Sequence, residues 1–264
     1  STIALMLVFT MIVSLFSNPY LAKATSDNSF KVGSMTISAS ESPDLSQHLN
    51  LFKERQLDVV GIQGLDNNTS RNQYNMLDAF KGDAYPYTSF QKAFDFAGGA
   101  YGNGIISNME IKNSNGSPFT MVSNEEPRAW QKITIEVNEK TVSVYNVFLA
   151  YETKEINLAQ IRELISVMDA DATEYKVLLG NFNIKDFNAN INEFSEKYRL
   201  AHGKDGNWVG DVRNNIITTK NIKVSDVKES TETYKAYKLF SATCELFDEE
   251  IEDDPVDETE NPKL

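Results

Sequence analysis

The sequence predicts an α/β protein with more than one sheet in a single domain, and three observations carry that prediction. Ala129–Val137 places Ile133, Ile135 and Val137 on one face and Thr134 and Glu136 on the other. It turns at Asn138-Glu139-Lys140 and returns as Thr141–Leu149, which makes a β-hairpin. Leu57–Gln63 and Lys176–Gly180 are instead almost continuously apolar, as strands covered on both faces are. Stretches of helical period precede both: Leu45, Leu49 and Phe52 behind a capping Asp44, and Ile161, Leu164, Ile165 and Met168 within Ile156–Ala172. Hairpins mixed with strand–helix units call for more than one sheet.

The other elements follow in order. Phe30–Ser38 is a strand, and Arg71–Phe80 carries Tyr74, Leu77 and Phe80 at helical spacing. Gly98–Ser107 is a glycine-rich loop running into a short strand. Later short strands are expected at Asn215–Thr219, Val224–Val227 and Lys238–Glu245. No repeat and no internal linker interrupts the chain, so 25–246 is read as one domain.

Both ends differ from this body. Ile3–Phe16 is an apolar run of fourteen residues, shorter than the roughly 20 that a spanning helix needs. A break at Ser17-Asn18-Pro19 and the site Ala22-Lys23-Ala24 follow. This pattern predicts a signal peptide over 1–24, a mature chain starting near Thr25 and a secreted protein with no stable membrane span after cleavage. A retained membrane anchor is the alternative. Half of the eighteen residues in 247–264 are acidic, which predicts a disordered acidic tail. The net charge is −13, with no basic run to displace phosphate counterions, so nucleic acid is not favoured as a partner. Cys244 is the only cysteine and is read as a small buried hydrophobe in what is expected to be a monomer.

Several segments, taken in order, share a pattern: "LDVVGIQGLD", "YGNGIISNMEI", "EPRAW", "VYNVFLA", "VLLGNFN", "NNIITTKNIKVSDV" and "LFSATCEL". Together they resemble the endonuclease/exonuclease/phosphatase superfamily, over roughly residues 30–246. The resemblance implies a four-layer α-β-β-α sandwich, two mixed sheets packed face to face with helices outside and the site at one end. It also implies Mg²⁺-dependent hydrolysis of a phosphoester, with carboxylates on the metal and a His-Asp pair for proton transfer.

At the matching positions the ionisable groups are missing. Gln63 is kept, but the metal-binding Glu falls on Gly64, and the Asn of the first strand on Thr36. The His after the hairpin falls on Phe148, and the Asp of Gly-Asp-Phe-Asn on Asn181, with Asn183 retained. The Asp of the Asp-x-Ile strand falls on Asn214, and the final Asp-His pair on Ala242-Thr243. Tyr101, Asn103 and Arg128 complete the expected vestigial pocket. No catalytic residue, metal ligand or cofactor is expected, although the family uses Mg²⁺. Asp66, Glu152 and Asp186 are candidate replacement carboxylates, each read otherwise as a solvated loop residue. His48 is read as a surface residue and His202 as a loop residue, with a substitute base as its alternative reading. The function expected is a non-catalytic binding protein for an unknown extracellular ligand or protein. The alternative is a divergent phosphoester hydrolase with a relocated or weakened site. Restoring Gly64→Glu with Asn181→Asp is the natural probe between the two.

Overall fold

The computed structural model describes residues 28–252, apart from 185, 187, 235 and 236. The first half of the chain supplies β1 (Ser29–Thr36), α1 (Leu45–Glu54), β2 (Val59–Asn67), β3 (Tyr87–Phe96) and β4 (Gly99–Ser107). The second half supplies β5 (Asn113–Pro118), β6 (Ala129–Val137), β7 (Lys140–Phe148), α2 (Lys154–Ala170), β8 (Tyr175–Asn181), β9 (Tyr198–Leu200) and β10 (Asn214–Thr219). The chain then returns to the first sheet with β11 (Ile222–Glu229) and β12 (Phe240–Leu246). The two six-stranded sheets have the orders β11-β12-β1-β2-β4-β3 and β5-β6-β7-β8-β10-β9. Among the described residues only β1–β2 and β7–β8 run parallel, and each of these pairs is joined through a helix.

Period-two alternation sorts the apolar residues into layers. Val59 faces the second sheet with Val32, Ile133, Val144 and Val177. Its neighbour Val60 faces outward to Leu51 and Phe52 of α1. In the second sheet Val177 points inward while Leu178 packs under Ile161, Leu164 and Met168 of α2. The predicted four-layer sandwich therefore forms, and each such side chain contributes roughly 1.5–3 kcal/mol by leaving water. Cys244 lies in the inter-sheet layer and is fully buried.

Several local expectations are corrected. Arg71–Phe80 is not a helix: only Met76–Phe80 forms a short 3₁₀ turn, and Tyr74 is exposed. Its leading residues are held instead by side-chain bonds to Asp66. The glycine-rich segment is a full strand, paired with β3 through a turn at Ala97 and Gly98, both with positive φ. β3, β5 and β9 were not expected; β3 and β5 are edge strands, so they lack the apolar run of a buried strand. His48 is buried rather than on the surface, its Nδ1 3.1 Å from the Asp44 carbonyl oxygen and its ring against Tyr234. The start of the expected tail is tied down: Phe247 N donates to Asn221 O, and Ile251 N to Lys220 O. The predicted signal segment, 1–24, and the rest of the tail lie outside the described residues.

Candidate functional site

In α/β sheets, ligands gather beyond the carboxyl ends of parallel strands. Here both parallel pairs end at one place. Thr36 is in register with Gln63, and Phe148 with Asn181, as the last rung of each parallel ladder. Asn181 Nδ2 donates to Thr36 Oγ1 at 2.9 Å, which joins the sheets at this rim. Thr36 Oγ1 donates to Gln63 Oε1 at 3.1 Å. Gln63 Nε2 donates to Asn146 Oδ1 at 2.8 Å and to Ser34 Oγ at 3.0 Å. Asn146, the Asn of "VYNVFLA", donates onward to Gly104 O at 2.9 Å and Ile62 O at 3.2 Å. Asn181 Oδ1 accepts from Asn183 N, and Asn183 Nδ2 donates to Leu149 O. Neutral amides and hydroxyls thus satisfy one another through the buried interface, as groups shut away from water must.

Gly64 sits where the strand pairing slips by one residue, between Gln63 and Leu65. Its φ is +81°, and a Cβ there would lie 2.8 Å from Ile37 O and 3.0 Å from the Tyr101 hydroxyl. A glycine is needed for the bulge, so no carboxylate can be added here without strain. The double restoration, Gly64→Glu with Asn181→Asp, therefore carries a backbone cost at its first position.

Asn214 lies beside Asn181 at the mouth of β10, and Asn103 Nδ2 ties β4 to Ala129 O. Arg128 is 4% exposed, with its guanidinium 4.3 Å over the Phe148 ring and Nη2 3.2 Å from Glu126 Oε1. Phe148 thus holds a cation over its face. Burial pushes the Tyr101 phenol up to about 12, so it stays protonated.

Ala242 and Thr243 do not join this group. Ala242 is part of the inter-sheet core opposite Val32, and Thr243 pairs with Lys31, well below the Thr36 rim. From this part of the chain it is Tyr237 that reaches the pocket. The motif match misplaced the position because β12 begins at Phe240, ahead of the matched residues.

Of the replacement candidates, Asp66 and Glu152 are committed elsewhere and Asp186 points to solvent. Asp66 is fully buried, not solvated, and accepts from Thr69, Asn72 and both Nε and Nη2 of Arg71. Burial pushes its carboxyl up, but the bonds from Arg71, Asn72 and Thr69 outweigh this and hold it below the usual range. Glu152 caps Glu126 N and Tyr151 N at the exposed rim, and Asp186 is exposed. His202 Nε2 lies 2.6 Å from Asn214 O while its Nδ1 accepts from Val209 N. That pattern places the proton on Nε2 and leaves no free nitrogen to act as base. A divalent ion wants several hard, charged oxygens. The neutral, mutually bonded groups at this rim do not fit one.

What the rim does contain is a pocket of about 200 Å³ beside Thr36, walled by Phe94, Phe96, Tyr101, Phe148 and Tyr237. Phe94 and Phe96 come from β3, an edge strand without a buried apolar run, and Tyr237 from the segment before β12, so none of the three has a sequence signal that points to the site.

No family model and no curated protein matches this sequence. Solved structures do match. An endonuclease/exonuclease/phosphatase from Beutenbergia cavernae superimposes with a TM-score of 0.69 at 14% identity, over 83% of this chain and 72% of that one. A protein of the same description from Bacteroides vulgatus gives 0.66 at 15% identity, over 83% and 99%. The human Nocturnin catalytic domain, with a bound sulfate, gives 0.60 at 13% identity, over 82% and 94%. At these identities the likeness establishes the fold.

Proposed function

We propose that this chain, which has the endonuclease/exonuclease/phosphatase fold, is a secreted, non-catalytic binding protein that has kept the scaffold and shed the hydrolytic chemistry. Secretion is inferred from the apolar N-terminal segment alone. The observation that carries the rest is the hydrogen-bonded chain from Asn183 through Asn181, Thr36 and Gln63 to Asn146. These groups occupy the rim where charged residues would be needed, and they spend their capacity on one another. No residue there is placed to activate water: Phe148 stands at the imidazole position, and His202 is locked as a neutral donor. Losing a general base alone lowers a rate about 10²–10⁴-fold, and losing a metal adds to that.

The test is a broad phosphodiesterase, phosphomonoesterase and nuclease assay of the mature chain, with Mg²⁺, with Mn²⁺ and with chelator. No turnover above the chelated background is expected. Metal-dependent turnover by the unaltered chain would overturn the reading.

A further inference from the structure

The rim pocket has a chemistry of its own. Three rings from one hairpin, Phe94, Phe96 and Tyr101, stand within 5.4–6.3 Å of each other, centroid to centroid. Bulges place them: β2 slips at Gly64, opposite the Asn103–Gly102 step of β4, and β3 slips between Lys92 and Phe94, opposite the next step, Gly102–Tyr101. Two extra residues, on either side of Gly102, bend the end of the hairpin toward the site. All three rings are half-buried, so each leaves part of its surface open to a ligand.

The charges at this pocket are cancelled locally. Arg71 spends Nε and Nη2 on Asp66, and Arg128 gives Nη2 to Glu126. The remaining nitrogens of Arg128 are shut away from solvent. Neither guanidinium offers the open fork that grips a phosphate. A cationic ligand fares no better, because Arg71 already stands 4.5 Å over Phe96 and 5.8 Å from the Tyr101 ring centre. A purely apolar ligand would strand polar atoms. The hydroxyls of Ser38, Ser40 and Tyr101, the second oxygen of Glu126 and Nη1 of Arg71 have no protein partner among the described residues. This set holds both donors and acceptors around aromatic faces.

Resting on the non-catalytic reading above, we propose that the pocket binds a neutral hydroxylated ring, a single pyranose unit of a glycan. Ring C–H groups would lie on the aromatic faces, which carry negative charge density. Hydroxyls would meet Ser38, Ser40, Tyr101, Arg71 and Glu126. The volume suits one ring, below the 300–1,000 Å³ typical of drug-sized ligands.

The test is titration of the mature chain with a panel of methyl pyranosides (gluco, galacto, manno and N-acetylgluco), alongside inorganic phosphate and tetramethylammonium. Binding is followed by ligand-observed NMR and calorimetry. At least one glycoside is expected to bind at millimolar concentration, insensitive to added NaCl, with neither ion binding. Phe96→Ala should weaken it about tenfold, the loss of one stacking face. Phe94→Ala serves as the second variant should the first disturb folding. Silence of every glycoside, preference for either ion, or glycoside binding unchanged in both variants would overturn the proposal. Metal-dependent phosphoester turnover would instead overturn the non-catalytic reading, so the two failures are distinguishable.

Discussion

Gly64 and Asn181 show how far a single residue can commit a site. With φ at +81° and Ile37 O 2.8 Å from where a Cβ would stand, Gly64→Glu must distort the bulge. We expect it to destabilise the fold by about 1–3 kcal/mol in urea unfolding, the usual cost of a forced left-handed residue, and Gly64→Ala to cost nearly as much. The pair Gly64→Glu, Asn181→Asp should therefore fail to create a Mg²⁺ site, read as no metal-dependent shift in its thermal midpoint. Asn146 is the next residue inward. Asn146→Leu would leave Gln63 Nε2 and the carbonyls of Ile62 and Gly104 short of partners in a dry interior. At about 1–3 kcal/mol for each stranded group, the loss should exceed that of any rim substitution, measured by the same unfolding assay.

At the scale of the element, the loop between β9 and β10 depends on His202. The ring sits between Trp208 and Phe240 and bridges Val209 N to Asn214 O. Burial holds its pKa below 6.5, and the same holds for His48. The unfolded chain therefore binds protons more readily than the folded one. Stability from these two groups is complete above pH 6.5 and is lost as pH falls from there through the folded values. The thermal midpoint should drop on acidification in this window. His202→Phe should flatten part of the slope, although it gives up both hydrogen bonds. The carboxyl of Asp66, held low by its partners, adds a second loss at more acidic pH.

Across the whole molecule, two strand–helix–strand units face each other, and the cleft collects residues from Thr36 to Tyr237. Its integrity therefore reports on global packing. Cys244 lies between the sheets with its thiol pushed by burial up to about 12. It should resist alkylation in the native state and react at the rate of global unfolding, followed by mass spectrometry. A ligand that binds only the folded state stabilises it by RT ln(1 + [L]/Kd). Millimolar Mg²⁺ should then leave the thermal midpoint where it stands in chelator, because among the described residues no set of charged oxygens meets at the rim.

Periodicity was enough for the paired sheets' inner strands, α1, α2 and the β6–β7 turn, because burial on a regular lattice writes itself into hydrophobic spacing. The ordered motifs also located Thr36, Gln63, Gly64, Phe148 and Asn181 at one rim. The alternation signal faded for β3 and β5, which lie at sheet edges with water on part of each strand, and with them went Phe94 and Phe96. Buried polar residues were equally opaque: Asp66, His48 and His202 look like surface residues until their partners, brought in by loops, are known. Ala242 and Thr243 were aligned with the family's Asp-His pair on the strength of the preceding Ser241, but strand register carries them away from the cleft. Local pattern records which face is dry; which polar atom meets which is set by pairings between distant strands and loops, and only the folded chain contains those.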